Sequence, residues 1–68
     1  MQVKLTIGER LKDLRVAKQL TLGQLSTEVG ISKSALGKYE SDNGKDISPY
    51  SISMLADYYG LSSYYLMG

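Results

Sequence analysis

Residues 21–40 read TLGQLSTEVGISKSALGKYE, and the folding of this stretch decides how the rest of the chain is organised. Thr21 and Gln24 have the spacing of a capping box, in which a hydroxyl takes an unpaired backbone N–H and a side chain three residues on reaches back. A helix over 22–29 follows, with Leu22, Leu25 and Val29 in one arc. Gly30 stands where helices commonly end in a left-handed residue, and only Ile31 separates it from Ser32, a second cap. The next helix, 33–40, therefore begins after a tight turn. At about 100° per residue its side chains divide into two arcs. Lys33, Gly37, Ser34 and Lys38 fall on one, cationic and free of bulk. Ala35, Leu36, Tyr39 and Glu40 fill the other, which anchors the helix. Glycine inside a helix costs about 1 kcal/mol relative to alanine, so Gly37 on the free arc calls for a reason, and close approach of another surface is one. Two lysines on an amphipathic helix are, taken alone, most often a solvated face. Two short helices joined by a glycine turn, the second with an open face, form a helix-turn-helix, whose second helix fits the major groove of B-DNA.

The same signals extend outward. Thr6 and Glu9 form another capping box before a helix over 7–18, which lines up Ile7, Leu11 and Leu14. Residues 41–47, with Asp42, Asn43 and Gly44, read as a loop. Ser48 followed by Pro49 is a cap with proline at the first helical position, where its missing N–H costs nothing. The helix it opens places Ile52, Leu55, Ala56 and Tyr59 inward, with Met54 and Tyr58 opposite, and ends at Gly60. Ser62 caps a short last helix through Tyr64 to Met67. The expectation is an all-α fold of five helices, one domain over 1–68 with its core in 7–67 and the helix-turn-helix at 22–40.

Composition narrows the function classes. At 68 residues a single core buries only about 60% of the surface that the unfolded chain exposes, which leaves folding marginal. With no cysteine and no histidine, disulfides and the usual zinc ligand sets are excluded, and so are the ordinary catalytic base and thiolate; no enzyme, cofactor or metal is expected. A P-loop fails as well, since Gly37-Lys38 is followed by Tyr39 and the glycine spacing from Gly30 is wrong. Apolar runs fall far short of the roughly 20 residues that span a bilayer, so no membrane partner is expected and the chain reads as cytoplasmic. The net charge of +1 hides an asymmetry. All eight bases lie between Lys4 and Lys45 among five acids, whereas two acids and no base follow from Asp46 onward, a distribution suited to one polyanion-facing side.

The stretch 7–40, IGERLKDLRVAKQLTLGQLSTEVGISKSALGKYE, resembles the Cro and C1-type (XRE-like) helix-turn-helix domains of phage and bacterial repressors, whose members read LTxxELAxxxGIS and then SxxxIxxxE. The ending SISMLADYYGLSSYYLM, 51–67, is similar to that family's LLxLAxxLGVSxxxLL. The resemblance implies a lambda-repressor-like five-helix domain and sequence-specific binding of a pseudo-palindromic double-stranded DNA operator by a homodimer. It puts Lys33, Ser34, Gly37 and Lys38 against bases, where lysine donates to guanine and serine specifies little. Arg15 matches an arginine near the phosphate backbone that also pairs with the glutamate matching Glu40; as an exposed pair this is expected to contribute about 0 to 1 kcal/mol. Thr21, Asn43, Gly44 and Lys45 are the further phosphate candidates, with the N–H groups opening helices two and four. Tyr64, Tyr65 and Met67 are the candidate dimer surface.

Three positions depart from the pattern. Leu22 stands where members often carry a glutamine that anchors to phosphate. Ser26 replaces a small alanine, and the loop after Glu40 is longer and carries Asp42 and Asp46, which phosphate repels. These changes predict a modest, salt-sensitive binder. The competing class is a protein-interaction module, an antitoxin or anti-repressor, that keeps this scaffold and presents its tyrosines and methionines to a protein partner.

Overall fold

The computed structural model describes residues 6–42 and 46–67, the last of these through its backbone only. Among them are five helices and no strand: α1 (Ile7–Ala17), α2 (Leu22–Val29), α3 (Lys33–Ser41), α4 (Pro49–Tyr59) and α5 (Ser63–Met67). The all-α expectation holds, with α1 ending one residue early and α3 one residue late.

Side-chain hydroxyls set where the first four helices begin. Thr6 and Glu9 close a capping box on α1, and Thr21 and Gln24 close another on α2. Ser32 accepts from the Ala35 N–H to start α3, and Ser48 accepts from the Ser51 N–H to start α4 with Pro49 inside it. Each cap satisfies a backbone donor that would otherwise be left to water, an effect of about 1 kcal/mol. Gly30 and Gly60 end α2 and α4 at φ of 72° and 70°, left-handed values that a Cβ disfavours.

α1 packs on α3 and α5, α2 on α3 and α4, and α4 on α5. Their inner faces supply Leu11, Leu25, Val29, Leu36, Ile52, Leu55, Ala56 and Leu66, joined by Ile31 from the turn. Leu25, Leu55 and Leu66 are fully enclosed, so the short α5 is held by a residue as deep as any in the long helices. Ser51 is buried too, and its hydroxyl is satisfied by Ser48 at 3.1 Å and by the Tyr39 hydroxyl at 3.2 Å. Met54 and Tyr58 correct the sequence expectation. They are partly buried against the core rather than opposite it, because the end of α2, at Glu28 and Val29, lies alongside them. The Tyr58 ring meets Tyr59 edge-on at 5.2 Å and carries the Lys18 ammonium at 5.5 Å from its centroid.

Candidate nucleic-acid interface

The turn between α2 and α3 holds α3 in place from below. Leu36 is buried, while Ala35, Tyr39 and Glu40 are half-covered on the same side. Lys33, Ser34 and Lys38 are exposed on the other. The two arcs read from the sequence are thus physically separate, and three polar side chains are exposed together on one short helix. Gly37, between them, is partly covered. A Cβ built there would lie 3.5 Å from Leu22 Cδ1, so the first residue of α2 reaches over the glycine.

Arg15 is bound more closely than an exposed pair would be. Its Nε donates to Glu40 Oε2 at 2.8 Å, its Nη2 to Glu40 Oε1 at 3.0 Å, and its Nη1 to the Leu20 carbonyl at 2.8 Å. The two side chains are only 15% and 10% exposed, which corrects the expectation of a surface pair. The reason is position: α3 lies directly on α1, and the Leu20 carbonyl closes the third side. Hydrogen bonding to Glu40 raises the Arg15 pKa further above its ordinary value, against a smaller opposing effect of burial. Tyr59 sits in the same electrostatic neighbourhood. Burial first, then Glu40 and Tyr58, push its hydroxyl up to about 12.

The remaining candidates divide. The exposed Thr21 uses its hydroxyl oxygen as an acceptor for the Gln24 N–H at 3.1 Å, which leaves its proton to donate elsewhere. Asn43, Gly44 and Lys45 lie outside the described residues, as does the side chain of Met67. Tyr64 is 86% exposed and Tyr65 51% exposed. Tyr65 is also engaged within the chain: its carbonyl accepts from Arg10 Nη1 at 3.2 Å, and the guanidinium lies 5.4 Å from its ring centroid. Among the described residues no group of three acidic side chains gathers as metal ligands, and no helix is long and apolar enough to cross a membrane.

Two contacts went unread in the sequence. Asp46 lies 3.5 Å from Lys38 Nζ, both side chains well exposed, so the acidic loop reaches back to the helix it follows. Arg10 clamps α5, and its position one turn beyond Ile7, at the flank of the α1 apolar stripe, is the signal that could have found it.

The helix-turn-helix geometry is matched by sequence comparison. A family model described as helix-turn-helix covers residues 11–66. The chain belongs to this Cro/C1-type family. Among its relatives in the family, the HTH-type transcriptional regulator YobD of Bacillus subtilis (strain 168) is 38% identical over 60 residues, 88% of this chain and 53% of that protein. Proteins named as HTH-type transcriptional regulatory proteins in Methanocella arvoryzae and Methanospirillum hungatei are 47% and 42% identical over 34 and 40 residues. Those matches cover 50% and 59% of this chain but 10% and 13% of the archaeal proteins. The chain thus spans about half the length of YobD and a small part of the other two.

Proposed function

We propose that this chain binds double-stranded DNA with sequence preference, laying α3 in the major groove, and regulates transcription by occupying an operator. The observation that carries this reading is the open arc of Lys33, Ser34 and Lys38, backed by a buried Leu36 on the same helix. In this reading Lys33, Ser34, Gly37 and Lys38 meet base edges, Gly37 beside the Leu22 side chain that reaches over it. Thr21, Arg15 and the loop residues Asn43, Gly44 and Lys45 meet phosphates, together with the N–H groups opening α2 and α4. Phosphate contacts supply most of the affinity and make it fall with salt.

A homodimer formed through Tyr64, Tyr65 and Met67 would set two copies of α3 about 34 Å apart and match a pseudo-palindromic operator. A bound dimer acts sterically as a repressor, in the cytoplasm where the chromosome is accessible. Selection of bound sites from random duplexes, repeated at two salt concentrations, tests site, symmetry and salt dependence together. Failure to enrich any sequence, with no duplex retained at low salt, would reject the proposal.

One observation favours a second reading, a protein-interaction module such as an antitoxin or anti-repressor. Tyr50 borders a cleft of about 440 Å³ between α4 and the start of α5, lined also by Met54, Asp57 and Leu61. Under that reading Lys33→Ala and Lys38→Ala leave function intact, whereas substitutions at Tyr58 or Tyr65 abolish it.

A further inference from the structure

We infer that Leu22, seated on Gly37, is a specificity-determining residue that takes the 5-methyl group of a thymine at one position of each half-site. The inference rests on the DNA-binding reading above and deepens it.

Leu22 is the first residue of α2, beside the Thr21 cap, and its side chain crosses to α3. The distance of 3.5 Å from Leu22 Cδ1 to a Cβ built on Gly37 is ordinary van der Waals contact, so the leucine methyl lies over the one place on the open arc that lacks a side chain. Gly37 follows Lys33 by four residues and Ser34 by three, spacings that put all three side by side on the helix surface. An apolar methyl group therefore stands beside the glycine of a helix whose exposed side chains, Lys33, Ser34 and Lys38, are all donors. Leu22 is only partly covered, so the packing that fixes its position leaves part of it accessible.

The major groove offers such a group one strongly matched feature. Guanine presents N7 and O6, adenine N7 and an amino group, and cytosine an amino group, whereas thymine adds a methyl beside its O4. Pressing Leu22 on any of the polar edges removes water from a donor or acceptor without supplying a partner, which is unfavourable. Pressing it on the thymine methyl buries apolar surface on both sides. The lysines and the serine are tolerant partners, so the apolar contact adds a discrimination that they lack.

The test replaces thymine by deoxyuridine, one position at a time, in a duplex recovered by site selection, and measures affinity of the intact protein. Uracil keeps every hydrogen-bonding atom and lacks only the methyl group. One thymine in each half-site is expected to lose about three- to fivefold in affinity on substitution, the worth of one buried methyl. Leu22→Ala is expected to bind thymine and uracil duplexes alike, and Leu22→Met to keep the preference; circular dichroism confirms that both remain helical. A bound duplex in which no thymine responds overturns the inference without touching the DNA-binding reading, and needs no variant. An unchanged thymine preference in Leu22→Ala overturns it as well. If no duplex binds at all, the reading itself has failed and the inference goes with it.

Discussion

Glu40 receives two hydrogen bonds from one guanidinium, Arg15 Nε to Oε2 at 2.8 Å and Arg15 Nη2 to Oε1 at 3.0 Å, in a fork that joins the end of α1 to the end of α3. The third arm, to the Leu20 carbonyl, ties in the link that leads to α2. Exposed ion pairs contribute about 0 to 1 kcal/mol, and breaking a buried one costs about 3 to 5. At 15% and 10% exposure this pair lies between. Glu40→Gln is expected to lower stability by about 2 kcal/mol in urea titrations, and Arg15→Lys by nearly as much, because an ammonium cannot form the fork. A cost under about 0.5 kcal/mol for both would mean that the pair does not hold α3.

Tyr59 makes stability fall in alkali. Its hydroxyl has no hydrogen-bond partner among the described residues, and its pKa of about 12 exceeds the ordinary 10.0. The folded chain therefore keeps a proton that the unfolded chain releases. This group leaves stability flat below pH 10, lowers it as pH rises between 10 and 12, and gives no such fall in Tyr59→Phe. Near neutrality Tyr59→Phe is expected to be neutral or to stabilise by up to about 1 kcal/mol, since it removes an unsatisfied polar atom. Thermal melts of both proteins at pH 7 and at pH 10.5 check the sign at each.

Asp46 is paired with Lys38, a residue of the proposed DNA surface. Asp46→Asn releases the ammonium from its partner at 3.5 Å and removes a negative charge near the proposed DNA surface. Duplex affinity is expected to rise up to about fivefold, the scale of one exposed pair. Lys38→Ala is expected to weaken binding, and to lower the salt slope by about 1 if Lys38 neutralises a phosphate rather than touching a base. Fluorescence anisotropy at several salt concentrations measures both. Unchanged affinity in Asp46→Asn would show that the pair plays no part in binding.

Gly37→Ala separates stability from binding. The added methyl meets Leu22 at ordinary contact distance, so nothing in the fold resists it, and better helix propensity stabilises by up to about 1 kcal/mol. On the proposed DNA surface the same methyl takes up the space between Leu22 and α3 that a groove wall would otherwise enter. A higher melting temperature with lower affinity is the expected outcome. Equal affinity would show that α3 does not approach closely at this point.

The local features were legible in the sequence because local chemistry writes them. Four hydroxyl caps, two glycine stops and the two arcs of α3 all lie within a few residues of their causes. Leu66 was not placed, and Met54 and Tyr58 were put opposite the buried stripe, because burial at all three depends on where α5 and the end of α2 come to rest rather than on their own helices. The Asp46 partnership with Lys38 was hidden for the same reason: the acids of that loop were read as repelling phosphate, and only the folded path brings one to a lysine eight residues earlier. Arg15 and Glu40 were paired from the family resemblance, but the Leu20 carbonyl that encloses them could not be read from spacing.

Ile31 belongs both to the turn and to the core. It is 8% exposed, flanked by a left-handed Gly30 and by the Ser32 cap. The elbow between α2 and α3 is consequently not a hinge: opening it would pull an isoleucine into water. An inserted residue here would displace either the cap or the buried side chain, so evolution can vary the letters on α3 far more readily than the length of the link that carries it.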